Sequence, residues 1–154
     1  MLIGVISDTH GLIRPEALAA LRGVEHILHA GDVGDIAVLR RLREIAPVTA
    51  IRGNVDTHGA CSELPATDVV ELGDKLFYLV HSVHDLDINP VSAGVAMVVS
   101  GHSHKASVHV RNEVIYFNPG SAGPRRFSLP VTVGFVTVED GVEASVLELA
   151  VGSR

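Results

Sequence analysis

Side chains with oxygen and nitrogen donor atoms recur in this chain directly after short apolar runs. Asp8 and His10 follow the first such run, and Asp32 follows the second. Carboxylate, amide and imidazole groups can bind a metal ion and can accept or deliver protons. The further members of the set are Asn54, Asp56, His81, His102 and His104. These residues are far apart in sequence, so a shared chemical role requires a fold that brings them together.

The first half of the chain alternates between predicted strands and helices. Its three apolar segments are predicted to be strands, at residues 2–7, 25–30 and 48–52. Pro15 suits the first turn of one helix, which Gly23 can end. Asp35 can cap a second helix, and Pro47 stops it. The apolar stripe of this second helix is formed by Ile36, Leu39, Leu42 and Ile45. This order predicts a parallel sheet covered by helices.

The second half is predicted to be mostly β structure. Its strands are expected at residues 67–72, 75–81, 95–100, 108–111, 114–117, 131–138 and 142–149. Two-residue turns at 73–74, 112–113 and 140–141 would join three pairs of them as hairpins. Residues 89–94 are expected to form a short helix or a turn. Because the sequence shows neither a repeat nor a linker, we expect one α/β domain, residues 1–154, with two sheets.

The donor residues follow predicted strands, and this placement carries more information than any single residue. In open α/β sheets, ligands bind outside the carboxyl ends of the strands. Five successive strand ends would deliver oxygen or nitrogen donors to that edge. Taken alone, Asp8 or Asp32 could cap a turn, and His102 with His104 could be ordinary turn residues. That alternative would require a separate coincidence at each strand end, so a shared site is favoured.

Five short motifs carry a resemblance to a known family. They are SDTHG at residues 7–11, HAGD at 29–32, RGNVD at 52–56, GHSH at 101–104 and NPGS at 118–121. In this order they resemble the calcineurin-like metallophosphoesterases, and within them the small prokaryotic YfcE-like phosphodiesterase branch. The resemblance spans nearly the whole chain. It implies a four-layer βαβα sandwich of two mixed β-sheets.

The resemblance also implies a centre of two divalent metal ions. Asp8, His10 and His104 would hold the first ion, and Asp32 would bridge both. Asn54, His81 and His102 would hold the second ion. Imidazole, carboxylate and amide ligands without sulfur suit Mn²⁺, which we favour, and also Fe²⁺, Ni²⁺ or Zn²⁺.

The implied activity is the hydrolysis of small phosphodiesters by attack of a metal-bridging hydroxide. Asp32, Asn54 and Asp56 are the predicted catalytic residues, with Asp56 orienting a ligand. Asn54, together with His58 and His84, is predicted to contact substrate. One alternative is a phosphomonoesterase or nucleotidase that uses the same centre. The other is a protein-binding scaffold of the same fold, since the retromer subunit with this fold lacks a complete metal set.

The sequence departs from the family pattern at two positions. Ser82 follows His81 where many relatives have glycine. Val55 follows Asn54 where larger relatives have a histidine that acts as a proton donor. The second departure leaves the general acid unassigned.

Several residues near the motifs are expected to support the fold rather than to bind a metal. His29 is predicted to pack within its strand or behind the ligands, and His26 and His109 to be structural or surface residues. Residues 118–121 are predicted to form a tight turn that supports the site from behind. The single cysteine, Cys61, excludes an intramolecular disulfide and any cysteine-rich metal site.

Charge and hydropathy limit the classes of binding partner that we expect. With 12 Lys and Arg against 18 Asp and Glu, the net charge is −6, so extended nucleic-acid binding is not expected. Two divalent cations would outweigh Asp8, Asp32 and a hydroxide, which leaves about +1 locally for a small phosphoester. The apolar runs are strand-length, and Asp8 interrupts the first one early, so we expect neither a membrane span nor a signal peptide. We therefore expect a cytoplasmic protein, and a homo-oligomer stays open.

Overall fold

The structure, a computed structural model, describes residues 1–126 and 128–151; residues 127 and 152–154 of the expected domain lie outside the described residues. The strands are β1 (Leu2–Ile6), β2 (His26–His29), β3 (Val48–Ala50), β4 (Thr67–Leu72), β5 (Lys75–Val80), β6 (Val95–Val99), β7 (Ser107–Arg111), β8 (Val114–Asn118), β9 (Thr132–Val138) and β10 (Val142–Glu148). The helices are α1 (Pro15–Ala20), α2 (Ile36–Arg43) and α3 (Pro90–Ala93), and 3₁₀ turns cover Ala60–Glu63 and Val83–Asp85.

Local sequence signals explain where the helices begin. Pro15 starts α1, and the Asp35 carboxylate accepts the Ala37 backbone N–H at 2.9 Å to cap α2. The prediction that Gly23 directly ends α1 is wrong. The helix stops at Ala20, and Gly23, with φ +92°, lies in the turn that leads to β2. Residues 89–94 do form a short helix, α3, which the Asn89 side chain caps.

The strands form two mixed five-stranded sheets. In the first, the order is β10-β9-β1-β2-β3, and β1, β2 and β3 are parallel as predicted. In the second, the order is β4-β5-β6-β8-β7, with β5, β6 and β8 parallel. The three predicted hairpins are present, but the turn between β9 and β10 has three residues, 139–141, instead of the predicted two. Gly73 and Asp74 in one, and Asn112 and Glu113 in another, have positive φ, as two-residue hairpin turns require.

Apolar side chains from both sheets fill the space between them. Val5 and Leu28 of the first sheet pack with Phe77, Met97 and Phe117 of the second, and all five are essentially inaccessible to solvent. The outer face of the first sheet packs against α1 and α2, whereas α3 lies next to β6 of the second. The predicted α/β fold with two mixed sheets is confirmed. The longest helix of the described chain has eight residues, too few to cross a membrane.

Candidate metal centre

Five of the predicted ligands meet where four parallel strands end. Asp8 and His10 follow β1, Asp32 follows β2, His81 follows β5 and His104 follows β6. Asp8 Oδ1 lies 3.4 Å from His104 Nε2 and 3.8 Å from His81 Nε2. Asp32 Oδ2 lies 3.2 Å from His81 Nε2 and 3.5 Å from His10 Nε2. The fold therefore gathers these groups at one edge shared by both sheets.

In each of the two carboxylates, one oxygen is fixed by hydrogen bonds and the other faces the centre. Asp8 Oδ2 accepts hydrogen bonds from the Ser7 hydroxyl at 2.7 Å and the His102 backbone N–H at 3.0 Å. Asp32 Oδ1 accepts the Val55 backbone N–H at 3.0 Å. The remaining oxygens, Asp8 Oδ1 and Asp32 Oδ2, face the imidazoles. Each carboxylate is thus oriented before any cation binds.

The imidazole of His81 is oriented in the same way. Its Nδ1–H donates to the carbonyl oxygen of Ala30 at 2.7 Å, so the neutral ring directs the Nε2 lone pair at the two carboxylates. A backbone carbonyl behind a histidine is the usual arrangement when the other ring nitrogen binds a metal. Two carboxylate oxygens and a nitrogen lone pair then face one another, and only a proton or a cation makes this arrangement favourable.

Unpaired buried atoms indicate that the cation is a metal. Among the described residues, the buried atoms without a hydrogen-bond partner include Asp8 Oδ1, His10 Nε2, His81 Nε2 and His104 Nδ1. An unpaired buried polar group costs about 1–3 kcal/mol. Donor atoms close enough to share an ion form two groups, Asp8–His10–His104 and Asp8–Asp32–His81. The first group is the predicted first site. The residues present therefore fit divalent metal binding.

The pKa values of these groups follow from burial and from their neighbours. Burial raises the pKa of Asp8, against the opposing effect of the Ser7 hydrogen bond. Burial alone would also raise the pKa of Asp32, but the contacts with His81 and Val55 N–H lower it to about 2. For His81, burial acts to lower the pKa, and the interactions with Asp32 and the Ala30 carbonyl overcome this effect and raise it. Asp32 therefore remains a carboxylate near neutral pH, as a metal ligand must.

The backbone is strained at the ligands. Eight described residues other than glycine have positive φ, and three of them lie in the hairpin turns. The other five are Asp8, His10, Asp32, His102 and His104, with φ between 48° and 73°. Side chains rarely adopt this conformation, and each instance costs of the order of 1–3 kcal/mol. Such strain is found mostly at binding and catalytic sites. There the contacts of the surrounding structure hold the backbone in the strained conformation, and this conformation places the side chain where it is needed.

Glycines in two of the motifs leave room for these side chains. A Cβ at Gly31 would lie 2.6 Å from His81 Nδ1, and a Cβ at Gly53 would overlap the Asp32 carboxylate. In both cases the added Cβ would be closer to its neighbour than van der Waals contact allows. The Gly-Asp and Gly-Asn pairs of the sequence are thus steric requirements of the centre.

The remaining predicted ligands lie at the rim. Asn54 and His102 are exposed, and with His81 they line a cleft of about 620 Å³. The His102 ring centre lies 5.3 Å from that of His81. Sequence reasoning missed the charged walls of this cleft, Arg52, Asp85 and Asp87. Arg52 lies inside the third motif, whereas Asp85 and Asp87 are isolated charges that give no signal of their own. It also missed Ser7, although that residue lies inside the first motif.

The two predicted substrate-contacting histidines are outside the cluster. His58 is exposed, and its ring contacts the neighbouring Thr57 hydroxyl at 3.3 Å. His84 is also exposed and lines a second, smaller cavity beside His102. The structure therefore brings His84 near the candidate centre and leaves His58 in its own loop.

Asp56 joins the loops that carry Asp32 and Asn54. Its buried carboxylate accepts the backbone N–H groups of Val33 at 3.0 Å, Gly34 at 2.9 Å and Gly53 at 2.9 Å. The first two donors follow Asp32, and the third precedes Asn54. Asp56 therefore acts on the ligands through the backbone, as a positioning residue.

His29 and residues 118–121 support the centre from behind, as predicted. The Gly31 N–H donates to His29 Nδ1 at 3.2 Å, and the Thr9 hydroxyl lies 3.0 Å from His29 Nε2. The Ser121 hydroxyl donates to the Asp8 carbonyl at 3.1 Å, and the Asn118 amide to the Gly101 carbonyl at 2.9 Å. Complete burial lowers the pKa of His29 to about 4, so the ring is neutral at pH 7.

Sequence comparison with known proteins identifies the family. A profile of the calcineurin-like phosphoesterase superfamily domain matches residues 1–141. The chain belongs to this superfamily. It is 35% identical over 142 residues to a probable metallophosphoesterase of Methanothermobacter thermautotrophicus, in an alignment that covers 84% of this chain and 82% of that protein.

Solved structures agree with the fold. An archaeal phosphodiesterase superposes with a TM-score of 0.78 at 25% identity, over 96% of this chain and 100% of that one. Vps29 of Chaetomium thermophilum superposes with a TM-score of 0.77 at 19% identity, over 97% of each chain, which shows the shared fold alone. The predicted family and its fold are therefore confirmed.

Asp56→Asn tests the link between the two loops. The asparagine side chain has one acceptor oxygen instead of two, so it cannot accept all three hydrogen bonds. Its NH₂ group would also face a backbone N–H donor. We expect metal affinity to fall about 10–100-fold, the usual cost of losing a group that orients ligands. Isothermal titration with Mn²⁺ measures this change. Asp35→Asn, the same replacement at an exposed helix cap, should bind Mn²⁺ like the wild type. Equal affinities for both variants would contradict the assigned role.

The buried His29 should make stability depend on pH. Its pKa is about 4 in the folded protein against an ordinary 6.5, so between these values only the unfolded chain takes up the proton. The contribution of the neutral His29 to the free energy of unfolding is therefore complete above pH 6.5 and is lost as the pH falls toward 4. At pH 5 the loss is about 2 kcal/mol. Urea unfolding with chelator at pH 7 and pH 5 measures the loss. In His29→Gln the loss should be smaller by this amount, and an equal loss in both proteins would refute the assignment.

Proposed function

We propose that this protein is a metal-dependent phosphodiesterase that acts on small phosphodiesters and uses two divalent cations. The observation that carries the proposal is the convergence of carboxylate and imidazole groups from four strand ends, three of which carry buried polar atoms without a hydrogen-bond partner. Family membership and a phosphodiesterase-named structural relative support the reaction class. Asp8, His10 and His104 would hold one ion, Asn54, His81 and His102 the other, and Asp32 would contact both, with Mn²⁺ the favoured metal.

The chemistry divides between the ions and the chain. A bound pair of divalent cations lowers the pKa of water and neutralises phosphoryl oxygens. The hydrogen bond from the Val55 backbone N–H favours the carboxylate form of Asp32. The chain orients the His81 lone pair through the Ala30 carbonyl. Asn54 lies exposed at the cleft, where its side-chain amide can donate to a phosphoryl oxygen. The positive charge of the ions would offset the acidic character of the chain at the point where the phosphoester binds.

Two other functions use the same fold. A phosphomonoesterase or nucleotidase would use the same centre. A protein-binding scaffold has the Vps29 structural likeness in its favour. Unpaired buried donors and five strained ligand backbones weigh against the scaffold, because a protein that binds no metal would bear their cost without benefit.

Metal removal and one pair of variants test the proposal. Chelation should abolish hydrolysis of bis(p-nitrophenyl) phosphate, and Mn²⁺ should restore it. Asp32→Ala removes the carboxylate that contacts both His10 and His81 and should lower kcat by more than about 100-fold, exceeding the loss in His10→Ala. The control is His26→Ala, whose ring hydrogen-bonds Thr49 away from the centre and whose loss should leave turnover unchanged. Full activity in a sample shown to be free of metal would end the proposal.

A second test concerns the leaving group. Val55, 40% exposed, stands at the position after Asn54, so no side chain there can protonate the departing oxygen. General-acid assistance is typically worth about 10²–10⁴-fold. Nitrophenolate scarcely needs it, whereas an alkoxide does, so kcat should fall steeply as the leaving-group pKa rises.

The measurement is a leaving-group series at fixed pH and saturating Mn²⁺. His58→Ala and His84→Ala should show the same slope as the wild type. If the wild-type series is flat and becomes steep in one variant, that histidine is the general acid and our prediction is wrong.

A further inference from the structure

Two cavities lie on either side of His102. The larger is the cleft that contains Asn54 and His81, and the smaller contains His84 and Tyr116. Their lining residues have Ser82 and His102 in common. The smaller cavity therefore opens beside the candidate metal centre, with His102 as a shared wall. A phosphodiester has two ester groups on one phosphorus, so two cavities beside one centre can each receive one of them.

The size of the smaller cavity limits what it can hold. Its volume is about 150 Å³, against about 620 Å³ for the cleft. An apolar protein cavity of roughly 150 Å³ is known to bind one benzene molecule. The smaller cavity thus has room for about one six-membered ring.

Aromatic side chains form one wall of this cavity. Strand pairing places His109 of β7 directly opposite Tyr116 of β8, and the two rings are stacked with centres 5.3 Å apart and planes 4° apart. The Arg111 guanidinium carbon lies 5.4 Å from the Tyr116 ring centre on the same side of the hairpin. Because two paired strands carry them, these rings are in place before a ligand binds, and aromatic surfaces favour contact with another aromatic ring.

The two cavities also differ in the charge of the residues that line them. Among the described residues, those that line the smaller cavity carry no carboxylate, ammonium or guanidinium group. Their polar groups include serine hydroxyls, the Asn118 amide and the imidazoles of His84, His102 and His109. The cleft, in contrast, has Arg52, Asp85 and Asp87 in its walls. An uncharged ring with a hydrogen-bonding edge suits the smaller cavity, and a charged or larger group suits the cleft.

We propose that the cavity beside His102 is a subsite for one uncharged six-membered aromatic or heteroaromatic ring carried on the substrate's phosphoryl group. The preferred substrate is then an asymmetric phosphodiester with one such ring and one larger polar group. This inference rests on the proposed function, because the phosphoryl group must lie at the metal centre for the ring to reach the cavity.

Calorimetric titration of the Mn²⁺-loaded protein with methylphosphonate and benzylphosphonate tests the subsite without turnover. We expect benzylphosphonate to bind about tenfold more tightly than methylphosphonate, as burial and stacking of one ring would give. Tyr116→Ala should remove most of this preference, and His109→Ala, at an exposed edge-strand position, should reduce it with little risk to folding. Val110→Ala on the same strand is the matched control, because Val110 is 65% exposed and does not line the cavity.

The outcomes separate this inference from the proposed function. Equal affinities of the wild type for the two phosphonates, no binding of either, or an unchanged preference in both ring variants would overturn the subsite. Loss of the subsite with diester hydrolysis intact would leave the proposed function standing. A ring preference that depends on Tyr116, in a protein that hydrolyses no phosphodiester, would support the subsite and refute the phosphodiesterase.

Discussion

The close approach of two buried carboxylates is the constraint on which the rest of this structure depends. Asp8 and Asp32 are 0% and 3% exposed, and each directs an oxygen at the same imidazole, that of His81. Burying two like charges this close is costly unless positive charge lies between them. The protein meets part of the cost with hydrogen bonds to the outer oxygens, and the geometry leaves the inner oxygens to a cation.

The architecture around the centre serves to hold those oxygens in place. Parallel strands of both sheets end at one edge, so ligands from distant parts of the sequence meet within a few ångströms. Asp56 then ties the loop after β2 to the loop after β3, while Asn118 and Ser121 hold the loops that carry His102 and Asp8. Hydrogen bonds to backbone groups dominate this support. The ligand positions therefore depend on loop shape more than on contacts between side chains.

The same arrangement explains how an acidic chain can act on an anion. The net charge of −6 belongs to the chain as a whole, whereas the proposed ions would place positive charge where the strands end. Under the proposed function, a compact centre of this kind would favour a small phosphoester over a long polyanion. Under the same proposal, the two cavities beside His102 would receive the two ester groups, one cavity having charged walls and the other aromatic walls.

The sequence alone determined the alternation of strands and helices in the first half, the three hairpins and the residue types at the candidate centre, because these depend on local signals: apolar runs, turn residues and short motifs. Even the helix cap at Asp35 follows from its own residue type and position. The end of α1 did not follow from Gly23, since the turn toward β2 fixes where the helix stops.

Only the tertiary structure decided which oxygen of Asp8 is free, that Asp56 binds three backbone amides, and that Tyr116 and His109 stack beside His102. These features depend on distances between segments far apart along the chain. Residue spacing places a side chain on a strand or at its end, but the packing of two sheets sets what it faces.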